Sequence, residues 1–171
     1  MILFKAVKKE YADSWADYTK TASYKSGARW NSAGVAAMYT SMNPQNAMLE
    51  IANYVASPRL VNSLFVISVF EFPSLRLHQL IPNELPSDWN DVSKPAQVKA
   101  LGDKYLNDPQ YDGVVVPSVT INKDIAMHAI NAIREAAYGN VIVNLKTIGV
   151  DNVKLIDSFS PVYFSNMFTS L

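Results

Sequence analysis

The apolar residues of this chain come in short runs, and their length limits the fold more than any other feature. The longest run, LFVISVF at residues 64–70, is far too short to cross a membrane. Several similar runs, rich in Val, Ile and Phe, are separated by Gly, Pro and Asn, which favour turns. Runs of this kind are typical of short buried strands.

Strands and helices are predicted along the 171 residues without a strict alternation. The predicted strands are 2–7, 35–40, 62–72, 111–119, 140–144 and 152–156. The predicted helices are 43–55, 96–106 and 122–139, with an irregular stretch at 82–94 and an aromatic tail, 162–168, packed on the body. Strands dominate and helices are inserted between them, which predicts an α+β fold with a mixed or antiparallel sheet. The length predicts a single domain over 1–171.

The helix at 43–55 places one charged residue away from its apolar face. Asn43 followed by Pro44 is the usual start of a helix. Its apolar stripe is formed by Met48, Ile51, Ala52 and Val55. On a period of 3.6 residues, Glu50 falls opposite this stripe, so the core is not where Glu50 is expected to pack.

Composition argues against several classes of function. Fifteen Lys and Arg balance fifteen Asp and Glu, so no net charge favours nucleic acid or an anionic membrane. The chain has no cysteine, which fits a reducing, cytoplasmic setting. The two histidines, His78 and His128, lie fifty residues apart without a carboxylate at ligand spacing, so no metal site is expected. The N-terminal residues lack the pattern of a signal peptide.

One window combines an arginine, two aromatic residues, hydroxyl groups and a glutamate. It reads SGARWNSAGVAAMYTSMNPQNAMLEI at 26–51, and LPSDW, ALGDKYL, VPS and GNVIVN follow it. In this order the segments resemble the RES domain family, whose pattern is G-x-R-W-N, Y-x-S, A-x-x-E on a helix, and V-P-S after a strand. The matching residues are Gly27, Arg29, Trp30, Asn31, Gly34, Tyr39, Ser41, Ala47, Glu50 and Ser118. The resemblance covers nearly the whole chain.

The resemblance implies a fold like that of the ADP-ribosyltransferases and a cytoplasmic toxin that attacks NAD. It implies cleavage of the bond between nicotinamide and ribose, by NAD glycohydrolase or phosphorylase activity, with NAD as the substrate and no metal. It also implies a helix-turn-helix (Xre-type) antitoxin as the partner, and family analogy suggests a homodimer.

Three residues of the pattern fit the polar part of this chemistry. Cleavage builds positive charge on the ribose, which a carboxylate stabilises, and Glu50 is the candidate. Arg29 offers a bidentate guanidinium to the pyrophosphate of NAD. Ser118 is expected to fix the substrate through its hydroxyl group.

Two aromatic residues are candidates to stack on the nicotinamide ring, Tyr39 first and Trp30 second. Both are also of a kind that often packs in a core. Lys5 is expected to contact the phosphates, because Phe4-Lys5 stands where the family usually has an aromatic residue and an arginine. Lysine keeps the charge and loses the bidentate geometry.

The chain departs from the family pattern elsewhere as well. The predicted helix at 122–139 is an insert where the family has a short connection. Asn144-Leu145 replaces the family's N-P, and Phe164-Ser165 replaces a closing aromatic-Asp pair. We expect the last two changes to affect partner contacts more than catalysis.

Two other functions are compatible with these residues. The first is a mono-ADP-ribosyltransferase, in which a protein side chain captures the same ribosyl cation. The second is a non-catalytic interaction module that keeps the fold. Retention of Arg29, Glu50 and Ser118 together argues against the module, because an empty cleft gives no reason to keep a buried charge pair. The acceptor, whether water, phosphate or protein, stays open.

Overall fold

The computed structural model describes residues 1–55, 57–93 and 96–164. The strands are β1 (Ile2–Lys8), β2 (Ala37–Ser41), β3 (Phe65–Glu71), β4 (Leu77–Gln79), β5 (Gly113–Val116), β6 (Asn140–Asn144) and β7 (Lys154–Phe159). The α-helices are α1 (Ala22–Ser26), α2 (Pro44–Ala52), α3 (Pro58–Leu64), α4 (Ala96–Leu106), α5 (Lys123–Ala126), α6 (Asn131–Glu135) and α7 (Leu145–Ile148). Single 3-10 turns lie at Lys9–Tyr11, Tyr18–Lys20, Pro82–Glu84 and Val150–Asn152.

The strands form one mixed sheet in the order β4-β5-β6-β2-β1-β3-β7. Among the described residues, β4 and β5 are the one parallel pair, and the other neighbours are antiparallel. This confirms the predicted α+β class and mixed sheet. The bounds of α4 and β6 match those predicted for 96–106 and 140–144.

The prediction of a strand over 62–72 was wrong at its start. Residues Pro58–Leu64 form α3, and β3 begins at Phe65. The helix has a local cause, because the Ser57 Oγ accepts a hydrogen bond from the amide of Leu60 and Pro58 occupies the first turn. The strand β4 was not predicted.

The prediction of one helix over 122–139 was also wrong. Asn122 caps a helix as expected, since its Oδ1 accepts from the amide of Asp124 at 2.8 Å, but that helix, α5, ends at Ala126. The chain resumes a helical path in α6. Two members of the expected stripe, Ile130 and Ile133, are 57% and 42% exposed. Their side chains therefore add little packing that would stabilise a continuous helix.

The main core lies on the sheet and includes Trp30, Phe70, Trp89, Leu106 and Ile142. A smaller cluster joins Val61 and Phe65 to Tyr163, from the aromatic tail that was expected to pack on the body. The rest of that expectation, 165–168, lies outside the described residues. The stretch predicted to be irregular, 82–94, contains a 3-10 turn and further turns up to residue 93.

Strands β1 and β2 are neighbours that barely pair. Their register rests on one residue pair, Phe4 with Ser41, whereas β1 pairs with β3 along its whole length. The two strands separate beyond this pair, and the ammonium group of Lys5 donates a hydrogen bond across the gap to the carbonyl oxygen of Tyr39 at 3.2 Å. This split in the sheet lies beside α2 and opens the space for the site.

Candidate active site

Helix α2 carries Glu50 to the split in the sheet. The Asn43 side chain caps the helix by accepting from the amide of Asn46 at 2.8 Å, as the sequence predicted. The apolar stripe of Met48, Ile51, Ala52 and Val55 packs against the smaller cluster. Glu50, on the other side of α2, is half-buried. Its position away from the stripe is confirmed.

Two side chains from distant segments bind the Glu50 carboxylate at the same oxygen. The Ser118 Oγ donates to Oε1 at 2.7 Å, and the Asn140 Nδ2 donates to Oε1 at 2.6 Å. Ser118 follows the end of β5, where Pro117 ends the strand, and Asn140 begins β6. The order of the strands therefore brings together the glutamate and serine that the sequence singled out.

Ser118 lies beneath Glu50 rather than on the surface. Its side chain is fully buried, and its hydroxyl group contacts both Glu50 and the Thr120 hydroxyl, at 2.6 Å. The sequence suggested a direct contact between Ser118 and substrate. The structure shows a hydrogen bond that holds the carboxylate.

A cavity of about 230 Å³ opens over the carboxylate, between α2, the split strands and the segment after β5. The residues used below that line it are Lys5, Arg29, Trp30, Tyr39, Glu50 and Asn140. Five of these six were predicted site residues. A second cavity of about 810 Å³ shares Lys5, Ala6 and Tyr39 with the first.

Arg29 reaches the cavity from the loop before β2. Its Nη1 donates to the carbonyl oxygens of Trp89, at 3.1 Å, and Asp91, at 2.6 Å. Within the described residues, Nη2 and Nε donate to no protein acceptor. One side of the guanidinium is thus anchored, and its other donors are available to an anion.

The two aromatic candidates differ in what they expose. Trp30 is 3% exposed, and its ring stacks on Trp89 with centroids 6.4 Å apart, so it presents little surface to the cavity. A Cβ on Gly102 would lie 1.9 Å from the carbonyl oxygen of Trp30, which explains the glycine of the ALGDKYL segment. Tyr39 is half-buried and presents more surface than Trp30.

The hydroxyl group of Tyr39 holds the Arg29 loop. It donates to the Asn31 Oδ1 at 2.7 Å and accepts from the amide of Trp30 at 3.0 Å. Burial raises the pKa of this hydroxyl above its ordinary value, so it stays protonated and able to donate. Stacking of its ring on nicotinamide stays a prediction.

Lys5 lies where the split meets the cavity. It is half-buried, and burial lowers the pKa of its ammonium group to about 8. The cause is loss of hydration, which disfavours the charged form. A bound anion would offset that loss.

The sequence assigned no role to Asn140, which lies in the GNVIVN segment, or to Asn46. Asn140 lies 90 residues from Glu50 along the chain. Asn46 is in fact buried, at 6% exposure, which a helix position opposite an apolar stripe does not predict. The signal for Asn46 was its place one turn before Glu50, on the same face of α2.

Across the described residues, no three His, Asp or Glu side chains cluster closely enough to hold a metal ion. None of the helices in that part of the chain is both long and apolar enough to span a membrane.

Comparison with known proteins agrees with the motifs. The model of the RES domain matches residues 2–148, a range that contains every predicted site residue. A protein named Toxin Res from Photorhabdus laumondii is 27% identical over 121 residues, covering 71% of this chain and 76% of that protein. Toxin Res from Yersinia enterocolitica is 27% identical over 122 residues, covering 71% of this chain and 78% of that protein. The chain therefore belongs to the RES domain family.

Proposed function

We propose that this protein is a toxin that cleaves the bond between nicotinamide and ribose in NAD. The observation that carries the proposal is the Glu50 carboxylate, held at 2.7 Å by Ser118 in a cavity that Arg29 and Tyr39 also line. The name Toxin Res, borne by relatives over most of this chain, supports the toxic role.

Glu50 supplies the electrostatic part of the reaction. As the glycosidic bond breaks, positive charge develops on the ribose, and a fixed carboxylate nearby stabilises that charge more than it stabilises the substrate. Oε1 accepts from Ser118 and Asn140, and no described residue donates to Oε2. Oε2 is thus the oxygen that would accept from a ribose hydroxyl group and face the cation.

Arg29 and Lys5 supply positive charge for the phosphates. The unbonded side of the Arg29 guanidinium suits a bidentate contact, and Lys5 provides a point charge at the split. The cavity of about 230 Å³ is smaller than pockets that enclose a drug-sized ligand. It suits the nicotinamide ribose half, stacked on Tyr39, with the rest of NAD reaching past Lys5. No metal is required for these steps.

The setting of the activity is part of the proposal. NAD cleavage in the cytoplasm would deplete the pool of this cofactor and stop growth. A toxin of this kind needs a partner that blocks it, and we propose a helix-turn-helix antitoxin of the Xre type. A homodimer is proposed by family analogy alone.

Release of nicotinamide from NAD by the purified protein tests the activity, with and without inorganic phosphate. We expect turnover by the wild type and a loss of at least a hundredfold in Glu50→Gln, which keeps the shape and removes the charge. Arg29→Ala should raise the KM for NAD. Phosphate dependence would identify a phosphorylase, and turnover without phosphate a glycohydrolase.

Two outcomes would contradict the proposal. Saturable NAD binding without turnover would favour a mono-ADP-ribosyltransferase that lacks its protein target, and labelled NAD with cell extract would reveal that target. Neither binding nor turnover would favour a non-catalytic module. Thermal unfolding of each variant establishes that it is folded.

A further inference from the structure

The amide of Asn140 has partners on both of its sides. Its Nδ2 donates to Glu50, while its Oδ1 accepts from the Asn46 Nδ2 at 2.6 Å and from the Ser41 Oγ at 3.1 Å. The Asn46 Nδ2 also donates to the Ser41 Oγ at 3.1 Å. Four side chains from α2, β2 and β6 thus form one connected network that ends on the carboxylate.

The network permits one orientation of the Asn140 amide. If the amide were reversed, its oxygen would face the Glu50 carboxylate and its NH2 group would face the NH2 group of Asn46. Both contacts would be repulsive. The direction of the donor toward Glu50 is therefore required by the carboxylate and supported by Asn46 and Ser41, which themselves make no hydrogen bond to the carboxylate.

The backbone leaves room for this arrangement. A Cβ on Gly139 would lie 3.1 Å from the Cγ and from the Nδ2 of Asn46, closer than most such contacts in proteins. The carbonyl oxygen of Gly139 also accepts from the amide of Met42 at 2.8 Å, which joins the start of β6 to the segment between β2 and α2. A glycine here lets the Asn46 amide approach Asn140.

We infer that Asn140 is a positioning residue, supported by Asn46 and Ser41, that fixes one oxygen of the Glu50 carboxylate and leaves the other for the substrate. This inference rests on the proposed function for its consequence in catalysis. Asn140 also lines the cavity, but its Nδ2 donates to Glu50 and its Oδ1 accepts from Asn46. It acts through Glu50.

A double-mutant cycle separates this role from a purely structural one. Asn140→Asp keeps the shape and the acceptor for Asn46 and Ser41, removes the donor to Glu50, and adds a second negative charge beside the Glu50 carboxylate. We expect its kcat for NAD to fall at least about ten- to a hundredfold, because a hydrogen bond to a charged group is lost and a like charge is added, with KM changed less than about threefold. In the Glu50→Gln background, the same change should lower kcat no further.

Asn144→Ser is the matched control. Asn144 is buried at the other end of β6, where its Nδ2 donates to the Leu106 carbonyl oxygen at 2.7 Å and its Oδ1 caps α7. Serine keeps a capping oxygen. We expect lower stability and an unchanged kcat. A fall in the kcat of Asn144→Ser as large as that of Asn140→Asp would overturn the inference.

A second measurement does not depend on turnover or on the folding of Asn140→Asp. The side-chain NH2 signals of Asn140 in the wild type, followed by 1H–15N NMR, should exchange slowly with water and shift in Glu50→Gln and in Ser41→Ala. If the wild type does not cleave NAD but these signals behave so, the proposed function fails and the positioning of Glu50 stands. Rapid exchange, or no response to either variant, would overturn the positioning itself.

Discussion

At the scale of single residues, Lys5 distinguishes this chain from the pattern of its family. It bridges β1 and β2 through the carbonyl oxygen of Tyr39 and lines both cavities. An arginine at this position would stay charged at any physiological pH, whereas the pKa of Lys5, lowered to about 8 by burial, makes its charge depend on pH.

Lys5→Arg should change the pH dependence of NAD cleavage. In the wild type we expect kcat/KM to fall as pH rises through about 8, because the phosphates lose a positive partner. In Lys5→Arg this fall should disappear below pH 10. Lys8→Arg, on the same strand and exposed, is the control and should keep the fall. An identical profile in Lys5→Arg and the wild type would contradict a role in phosphate binding.

Lys5 also affects stability in a direction set by its pKa. The folded value is about 8 and the ordinary value about 10.4, so between them the unfolded chain binds more protons. The contribution of Lys5 to the free energy of unfolding should therefore increase as pH rises from about 8 to 10. Urea unfolding across this range, compared with Lys5→Met, measures the contribution. A difference between the two proteins that does not change with pH would contradict burial of the charge.

Ser118→Ala should reduce activity with little loss of fold. Removing the hydroxyl group takes away one of the two donors to the Glu50 Oε1. A hydrogen bond to a charged group contributes about 1.5–3 kcal/mol. We expect a fall in kcat of tenfold or more. Ser68→Ala is a matched control for loss of a buried hydroxyl group, since Ser68 is equally buried but its hydroxyl group bonds Ser158 and not Glu50. Equal effects of the two changes on kcat would contradict the assignment.

Local signals at the scale of elements predicted some segments and failed at others. Asn43-Pro44 predicted the start of α2, because capping needs only neighbouring residues. The same kind of signal at Ser57-Pro58 was outweighed by the apolar residues that follow, and α3 was missed. The helix expected over 122–139 had a cap and a periodic stripe, but Ile130 and Ile133 face solvent. Periodicity predicts a helix only where the fold buries the stripe.

The start of β5 depends on an ion pair that bridges two elements. Asp112 lies just before β5, and Arg76 lies just before β4. The Asp112 carboxylate accepts from the guanidinium of Arg76 at 2.7 and 3.1 Å and from the backbone amide of Arg76 at 2.8 Å. The side-chain hydrogen bonds of Arg76 lower the pKa of the Asp112 carboxyl, although burial opposes them. β4 is the short edge strand that the sequence did not reveal, and this pair ties it to the sheet.

Asp112→Asn should destabilise the fold in a manner that depends on pH. At pH 7 we expect a loss of about 1–3 kcal/mol, from hydrogen bonds to a buried charge. Because the pKa of Asp112 is lower in the folded chain, its carboxylate stabilises the fold at pH values above its ordinary pKa of about 3.9. This stabilisation is lost as the pH falls through the pKa of the folded chain. Urea unfolding at pH 7 and at pH 3 should thus show a smaller difference at pH 3. Asp13→Asn, which changes an exposed carboxylate, should unfold with the same free energy as the wild type at both pH values.

At the scale of the whole molecule, the site exists because of the order of strands. Ser118 and Asn140 lie 68 and 90 residues after Glu50 along the chain. Their contact with Glu50 requires β2 to lie between β1 and β6. The family motif predicted that Glu50 and Ser118 share a cleft, but neither periodicity nor spacing reveals which side chain bonds which. The hydrogen bonds that the side-chain amides of Asn46 and Asn140 make could not be predicted for the same reason.

The NAD pool of cells that express the protein tests the central claim most directly. We predict that after induction of the wild type, cellular NAD falls before growth stops, while Glu50→Gln, expressed to the same level, changes neither. Free nicotinamide should rise as NAD falls. Arrest of growth by the wild type at an unchanged NAD level, or equal toxicity of Glu50→Gln, would contradict the account.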